Sequence, residues 1–242
     1  MSSFGQFDRF SQQPTSTFAA AVSTDVLRAY VQRVYAWMVG GLMVTALTAM
    51  GLASNENLMM AILLGPVMWI ALLGPVAMVW FLAARIDTMK PSTAAGLFIA
   101  YSLLNGVAFS SIFLIYELGS IFQVFLIAAV MYASAALYGF TTKRDLTNWG
   151  AFLMMGIIGL LVAMVVNWFL QSPAVTWAFS IIGVVIFTGL TAYDMQRIKE
   201  QAIVMHAGDA FASKRAIIGA LSLYLNFINI FLFLLRLFGN RK

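Results

Sequence analysis

The sequence predicts an all-α polytopic membrane protein with seven transmembrane helices. Of its 242 residues, 62% are hydrophobic and only 10% are charged, whereas soluble domains carry about 25% charged residues. The mean hydropathy is +0.91. Several charge-poor runs also reach the roughly 20 residues that a helix needs to cross a bilayer. These features exclude an ordinary soluble fold.

The chain divides into a short tail and one membrane domain. Residues 1–24 are predicted to be a mobile cytoplasmic tail, because they are rich in Ser, Gln, Thr and Phe and show no helical periodicity. They also lack the basic start of a signal peptide. Residues 25–242 are predicted to form a single seven-helix transmembrane domain. Its first helix begins at Asp25 and continues into the apolar residues 34–53.

Five further stretches supply the other six spans. The longest of them is divided by Gln171, Ser172 and Pro173, which mark a turn and allow it to cross twice. The last contains no charged residue. In order, the stretches are residues 58–84, 92–116, 118–142, 148–193 and 216–235.

The basic residues predict the orientation. Eleven of the 14 Lys and Arg residues lie before the last span, all on the side of the N-terminus. Basic loops mark the cytoplasmic side, so we expect a cytoplasmic N-terminus and an outside C-terminus. Arg236, Arg241 and Lys242 then lie outside, against this rule. A rival in which the last run re-enters without crossing therefore stays open.

The last span carries a narrow stripe of small and polar residues. Gly219, Ser222, Asn226 and Asn229 follow one another at spacings of three, four and three, which places them on one side of a helix. Polar groups in hydrocarbon lack partners, so such a stripe must face protein. We therefore expect the other helices to enclose this one, and the functional chemistry to lie along its stripe.

Three polar positions near the membrane need an interpretation of their own. Asp194 ends the sixth span, with Thr191 one turn before it, and an acid at this depth usually faces a partner or a cavity. We interpret Asp194 as an ion or proton site rather than an interfacial acid. Asn226 alone is better explained as a bond between helices, and Arg85 alone as a snorkelling residue at a helix end. Ala135 and Gly139 have the spacing that brings helices close together.

Composition excludes several chemistries. The chain has no cysteine and a single histidine outside the predicted spans, so cysteine metal sites and a histidine base for an intramembrane serine protease are absent. The last span has no lysine for retinal. We therefore expect no enzymatic activity and no cofactor. We also expect no nucleic-acid partner, because Lys and Arg in the loops on the cytoplasmic side account for the positive net charge. The bilayer is the expected partner, with other membrane proteins as further candidates.

Two motifs near the end of the chain carry a resemblance. The first, residues 191–199, reads Thr-Ala-Tyr-Asp-Met-Gln-Arg-Ile-Lys. The second, residues 220–231, reads Ala-Leu-Ser-Leu-Tyr-Leu-Asn-Phe-Ile-Asn-Ile-Phe and is followed by Leu-Leu-Arg-Leu-Phe at residues 234–238. The chain thereby resembles bacterial-type members of the Bax inhibitor family, also called the transmembrane Bax inhibitor motif family. The resemblance implies a last helix wrapped by two three-helix layers, and a pH-sensitive calcium leak.

The resemblance also assigns residues. Asp194 matches the sixth-helix aspartate of the family's two-carboxylate pH sensor, and Arg85 matches its second-helix arginine. The seventh-helix aspartate falls on Asn226. Two close carboxylates share a proton and thereby sense pH, which an aspartate facing an asparagine cannot do. We therefore expect weakened pH sensing, with calcium as the transported ion and Asp194 as a ligand to it.

These observations leave three hypotheses for function. The leading one is a cation leak or channel-like protein, gated near Asp194, Asn226 and Arg85. The second is a non-conducting regulatory or stress-protective protein that acts through protein partners. The third is a proton-coupled carrier, which the missing second carboxylate and the absence of an internal repeat make less attractive.

Overall fold

Long helices make up nearly all of the described chain. A computed structural model describes residues 15–204 and 210–242. Within these residues there are nine helices, of which α5 is a single turn. They are α1 Thr15–Ala53, α2 Glu56–Leu64, α3 Pro66–Arg85, α4 Pro91–Phe109, α5 Ile112–Ile115, α6 Leu118–Thr141, α7 Thr147–Leu170, α8 Pro173–Val204 and α9 Ala210–Phe238.

The spans agree with the predicted class of protein. Six helices among the described residues are long and apolar enough to cross a membrane, and the bent pair α2 and α3 makes a seventh when it is taken as one span. The prediction of an all-α polytopic membrane protein is confirmed.

The second predicted span differs from expectation because it is broken. We predicted one continuous helix over residues 58–84, but α2 and α3 meet at an angle of 69°. Gly65 between them is extended, with φ −90° and ψ 175°, and Pro66 opens α3. Proline lacks an N–H and pushes the residue before it out of the helical region. The Gly65-Pro66 pair therefore ends one helix and starts another.

The first helix begins earlier than predicted. It starts at Thr15 rather than at Asp25, inside the segment that we interpreted as a tail. Three consecutive alanines, residues 19–21, follow this start, and alanine is the residue with the highest helix propensity. Residues 1–14 lie outside the described residues, and the predicted mobility and location of the tail stay predictions.

The last helix is the most enclosed of the spans. In α9, 72% of the most apolar 18-residue window is buried, against 17% to 39% in the other five unbent spans. Leu223, Tyr224 and Ile230 are completely buried within it. The predicted enclosure of this helix is confirmed.

The other helices surround α9 in two groups of three. In the first group α4 packs between α1 and α3, and in the second α8 packs between α6 and α7. α9 contacts α1 and α4 from the first group and α6 and α8 from the second. The two three-helix layers implied by the resemblance are therefore present.

Small residues bring the second group together. A Cβ atom added at Gly139 of α6 would collide with the carbonyl of Ala192 on α8. Only glycine permits this approach of helix to backbone. The close contact that the spacing of Ala135 and Gly139 predicted is found here, and it fixes α8 beside α6.

The C-terminal residues fasten α9 to the connection between α4 and α6. The Glu117 N–H donates to the Asn240 carbonyl at 3.0 Å, and the Lys242 N–H donates to the Ile115 carbonyl at 3.0 Å. The Ser120 hydroxyl accepts from the Asn240 N–H at 2.8 Å. At the opposite end of α9, Arg33 of α1 donates to the Ser213 hydroxyl at 3.1 Å. The last helix thus runs the length of the bundle, which argues against the re-entrant rival.

Replacing Gly139 by alanine should lower the free energy of unfolding by about 1 to 3 kcal/mol, because the added carbon overpacks the contact with α8. Gly159 of α7 is the matched control, since a Cβ added there has no atom within 4 Å. Gly159→Ala should be neutral, or stabilising by at most about 1 kcal/mol. Thermal unfolding in detergent measures both variants, and equal melting temperatures would contradict the packing.

A reporter placed after Lys242 should lie on the opposite side of the membrane from one placed at the N-terminus. Seven spans give this result, and the contacts of the last residues with the α4–α6 connection agree with it. A flexible linker before the reporter preserves these contacts. Reporters that lie on the same side in a folded, inserted protein would favour the re-entrant arrangement.

Candidate functional site

Asp194 and Asn226 meet between α8 and α9. The Asn226 Nδ2 atom donates a hydrogen bond to Asp194 Oδ2 at 2.7 Å. Asn226 is only 4% exposed, and Asp194 is half-buried. Sequence reasoning assigned both residues to one site, and the structure brings them into direct contact. The functional role of the pair stays a prediction.

Gly219 explains why two such short side chains can meet. A Cβ added at Gly219 would lie 3.2 Å from Ile198 Cγ1 of α8 and 3.5 Å from Val34 Cγ1 of α1. Gly219 lies two turns before Asn226, and Ile198 lies one turn after Asp194. The absence of a side chain at Gly219 therefore lets α9 approach α8 closely enough for the amide to reach the carboxylate.

The surroundings of Asp194 contain one cation and two phenols. The charge of Arg197, on the next turn of α8, acts on the Asp194 carboxylate, whose charge in turn acts on Tyr132 of α6. Tyr132 donates its hydroxyl to Met38 Sδ at 3.1 Å, and Tyr35 donates to Met195 Sδ at 3.5 Å. Both phenol protons are thus directed at sulfur. The hydrogen bond that the structure shows at the carboxylate comes from Asn226.

This contact is a hydrogen bond from a neutral amide to a carboxylate, and it joins two helices. A hydrogen bond to a charged group contributes about 1.5 to 3 kcal/mol, more than one between neutral groups. Removing its donor would leave a carboxylate without that partner in the interior. The Asp194–Asn226 contact therefore holds α8 and α9 together at a point where polar alternatives are scarce.

The four residues of the predicted stripe are not equally buried. Its four residues span a sector of about 80° on the helix. At one edge Gly219 and Asn226 are buried against α8, whereas at the other edge Ser222 and Asn229 are half-buried. Asn229 Nδ2 donates only to the Leu225 carbonyl of its own helix, at 2.8 Å. The second edge is thus less deeply buried than the first, and the functional role of the stripe stays a prediction.

Thr191 and Arg85 do not take part in the contact. Thr191 is completely buried, and its hydroxyl donates to the Phe187 carbonyl of its own helix at 2.8 Å. Arg85 is exposed at the end of α3, which packs mainly on α4. Within the part of the chain that the structure describes, Arg197 is the arginine whose charge acts on Asp194. A functional role for Arg85 stays a prediction.

The described residues contain no group of three or more His, Cys, Asp or Glu side chains that could hold a metal ion. Calcium takes six to eight oxygen ligands. Asn226 presents its N–H group rather than its oxygen to Asp194. Asp194 therefore offers one carboxylate at this position, and its role as a ligand to calcium stays a prediction.

Sequence reasoning missed two groups of polar contacts. The Thr45 hydroxyl lies 2.7 Å from the Tyr224 hydroxyl and donates to the Ser102 carbonyl at 2.9 Å, which joins α1, α9 and α4. Thr45 stands out in the sequence as a polar residue within an apolar run, but no sequence pattern indicates which residues it contacts.

The second group fixes the segment of α8 that carries Asp194. Gln196 accepts from the Leu146 N–H at 2.9 Å and donates to the Arg144 carbonyl at 2.8 Å. Lys199 Nζ donates to the Phe140 carbonyl at 2.8 Å. These bonds hold this end of α8 to α6 and to the α6–α7 connection. A lone glutamine at a helix end gave no signal of this role.

Comparison with known proteins decides the family. The family model described as "Inhibitor of apoptosis-promoting Bax1" matches residues 27–242. The chain belongs to the Bax inhibitor family. Inner membrane protein YbhL of Escherichia coli (strain K12) is similar to this Bax inhibitor family member, with 42% identity over 218 residues that cover 89% of this chain and 93% of YbhL.

Two further relatives extend the same family across bacteria. The uncharacterized protein RP147 of Rickettsia prowazekii (strain Madrid E) is 37% identical over 236 residues, covering 96% of this chain and 98% of RP147. The uncharacterized protein YrjE of Lactococcus lactis is 38% identical over 220 residues, covering 89% and 92%. The resemblance based on the two terminal motifs is thus confirmed as membership of the Bax inhibitor family.

Replacing Asn226 by leucine should lower the free energy of unfolding by about 1 to 3 kcal/mol, because Asp194 then loses its hydrogen-bond donor. Asn229→Leu is the matched control, since Asn229 bonds only within α9, and its effect should stay below about 1 kcal/mol. Denaturant unfolding in detergent micelles compares the two.

The same measurement in an Asp194→Leu background tests whether the bond causes the effect. There, Asn226→Leu should cost much less than in the wild type, because the partner has already gone. An undiminished effect of Asn226→Leu in that background would show that Asn226 stabilises the fold in some other way.

Proposed function

We propose that this protein is a cation-permeable membrane protein, a weak calcium leak or channel-like protein of the bacterial inner membrane, with its gate at Asp194 and Asn226. The observation that carries the proposal is the 2.7 Å hydrogen bond between these residues, which joins α8 to the enclosed helix α9. The name of YbhL, an inner membrane protein, supports the location. Calcium is here the transported ion and not a bound cofactor.

The bonds around the pair support a gate between α8 and α9. Gln196 and Lys199 hold the end of α8 to α6 and its following connection. By contrast, the bond to Asn226 is the side-chain hydrogen bond that the structure shows between α8 and α9. Separation at this interface frees the carboxylate, and an uncompensated carboxylate in a low-dielectric site attracts a cation.

The less buried edge of α9 supports a path for the ion. Ser222 and Asn229 lie there half-buried, so their polar groups are not fully covered by neighbouring helices. A cation crossing hydrocarbon needs such groups and water around it. An ion moving along this edge would meet Asp194 beside Asn226.

The proposed orientation places the gate toward the cytoplasm. Asp194 lies near the end of the bundle that carries Arg197, Lys199 and Arg33, and basic residues mark the cytoplasmic side. The N-terminus is then cytoplasmic and the C-terminus outside. The alternative, a non-conducting regulatory or stress-protective protein, would use the same bond only to hold its helices together.

Calcium flux into liposomes containing the purified protein should vary only weakly between about pH 7 and about pH 8 in the wild type, because the Asn226 amide donates to the Asp194 carboxylate and favours its charged form. Asn226→Asp should make the flux pH-dependent by several-fold over this interval. The second aspartate lies within hydrogen-bond distance of the first, and two such acids titrate as a coupled pair. Calcium affinity should rise with pH as the shared proton leaves.

Two controls isolate the pair. Asn229→Asp adds the same charge to the same helix away from Asp194 and should not create the pH dependence, whereas Asp194→Asn in the Asn226→Asp background should abolish it. A steep response of the wild type that survives Asp194→Asn would place the sensor elsewhere. Absence of flux in every variant that inserts and folds would favour the non-conducting alternative.

A further inference from the structure

An apolar cleft opens between α1 and α6. Its volume is about 860 Å³, which lies within the range of about 300–1,000 Å³ that small-molecule sites occupy. One wall runs along α1 from Val31 to Met50, the other along α6 from Leu118 to Phe140. The cleft therefore extends through most of the depth of the bundle.

The floor of the cleft belongs to the central helix. Phe227, Ile228 and Phe231 of α9 line it, together with Met195 of α8. The three α9 residues are 3% to 8% exposed, so a molecule in the cleft would touch the central helix only at the bottom.

The polar groups in the cleft are already satisfied. The Thr45 hydroxyl bonds to Tyr224 and to the Ser102 carbonyl, while Tyr35 and Tyr132 donate to methionine sulfur. The walls thus offer hydrocarbon contact and little hydrogen bonding. Such a surface at membrane depth selects an apolar occupant.

The length and lining of the cleft suit an acyl chain. Its wall on α1, from Val31 to Met50, is about 28 Å long at about 1.5 Å per residue, close to the roughly 30 Å hydrocarbon core of a bilayer. The surrounding bilayer supplies acyl chains at this depth.

A cation lies at one end of the cleft. Lys199 Nζ is 2.8 Å from the Phe140 carbonyl and 5.4 Å from the centre of the Phe140 ring, and Phe140 is itself a wall residue. Arg28 occupies the same face of α1 as Val31 and Tyr35, one turn before the wall begins. An ammonium has three donors, of which the Phe140 carbonyl takes one.

The charges at this end define what the cleft would select. Asp25 lies three residues before Arg28, and Glu200 directly follows Lys199. Both carboxylates are exposed, so the outer part of this end of the cleft carries charges of both signs. Lys199 is the cation that contacts the wall itself, and it is half-buried. Selection for a negative group beside the cleft therefore depends chiefly on Lys199.

We propose that this cleft binds an anionic phospholipid, with one acyl chain between α1 and α6 on the surface of α9 and the phosphate at Lys199. The lipid covers exposed wall residues such as Val39, Met43 and Phe122, and Lys199 supplies the preference for an anionic headgroup. This proposal does not depend on ion conduction.

Photoaffinity lipids test the proposal with the full-length wild-type protein in phosphatidylcholine liposomes. Trace amounts of phosphatidylglycerol or of phosphatidylcholine, each with the same diazirine-bearing acyl chain, are activated, and labelled peptides are mapped by mass spectrometry. Because α9 is enclosed, label on residues 227–231 reports a chain inside the cleft rather than lipid around the protein. We expect the phosphatidylglycerol probe to label these residues several-fold more than the phosphatidylcholine probe.

Matched variants separate the chain site from the headgroup site. Ala133→Phe fills the α6 wall and should abolish label on α9, whereas Val130→Phe, on the outer surface of the same helix, should not. Lys199→Gln should equalise the two probes. Lys214→Gln, a charge removal at a lysine that bonds to the Asp87 carbonyl instead, should leave the preference intact.

Three results would overturn the proposal. Equal labelling of α9 by both wild-type probes would show that chains enter without headgroup selection. Preserved preference in Lys199→Gln would place the phosphate elsewhere. Absence of label on α9, with label on the outer surfaces, would show that lipid does not occupy the cleft, and a dimer seen by native mass spectrometry would then identify a second copy as its occupant.

Discussion

The requirement that polar groups at membrane depth find partners inside the protein shapes this structure. Hydrocarbon offers no hydrogen bonds, so a carboxylate, an amide or a hydroxyl at that depth bonds to another helix or to a carbonyl of its own helix. α9 brings Asn226 to Asp194 and Tyr224 to Thr45. Its contacts with α1, α4, α6 and α8 follow from that need together with the burial of its apolar residues.

The same requirement made much of the fold predictable from sequence. Uncharged runs long enough to cross the bilayer identified the spans, and the Gly219 to Asn229 stripe identified the enclosed helix. The spacing of Ala135 and Gly139 predicted a close contact between helices, and the structure places it between α6 and α8, where a Cβ added at Gly139 would strike the Ala192 carbonyl. Each of these inferences depends on a local pattern with one dominant physical cause.

Features that depend on a partner far along the chain were not predictable in the same way. Helical spacing placed Ser222 and Asn229 near Asn226 but could not say which edge of the stripe α8 covers. Thr45 gave no indication of Tyr224, and Gln196 gave none of the carbonyl and N–H groups that it joins. The bend at Gly65 was readable from the following proline, but the length of the apolar run concealed it.

The pair forms a strong contact and, in the proposed function, a weak pH sensor. With Asn226 where the family resemblance implies an aspartate, Asp194 keeps a hydrogen-bond donor and loses a titrating neighbour. The contact then holds α8 to α9 without a proton that the two residues could exchange. The apolar cleft lies on another side of α9, where Phe227 and Phe231 line its bottom.

The central claim is that cations pass only when α8 and α9 separate beside Asp194. The chain has no cysteine, so Ile198→Cys with Gly219→Cys introduces a single pair. Ile198 Cγ1 lies one bond beyond Cβ, as a cysteine Sγ would, and a Cβ at Gly219 lies 3.2 Å from it, so two cysteines at these positions are within reach of a disulfide. Calcium flux is then measured in liposomes before and after reduction. The account predicts little flux from the oxidised protein and recovery on reduction, with each single-cysteine variant unaffected by either treatment. Equal flux in the oxidised and reduced double variant would contradict it.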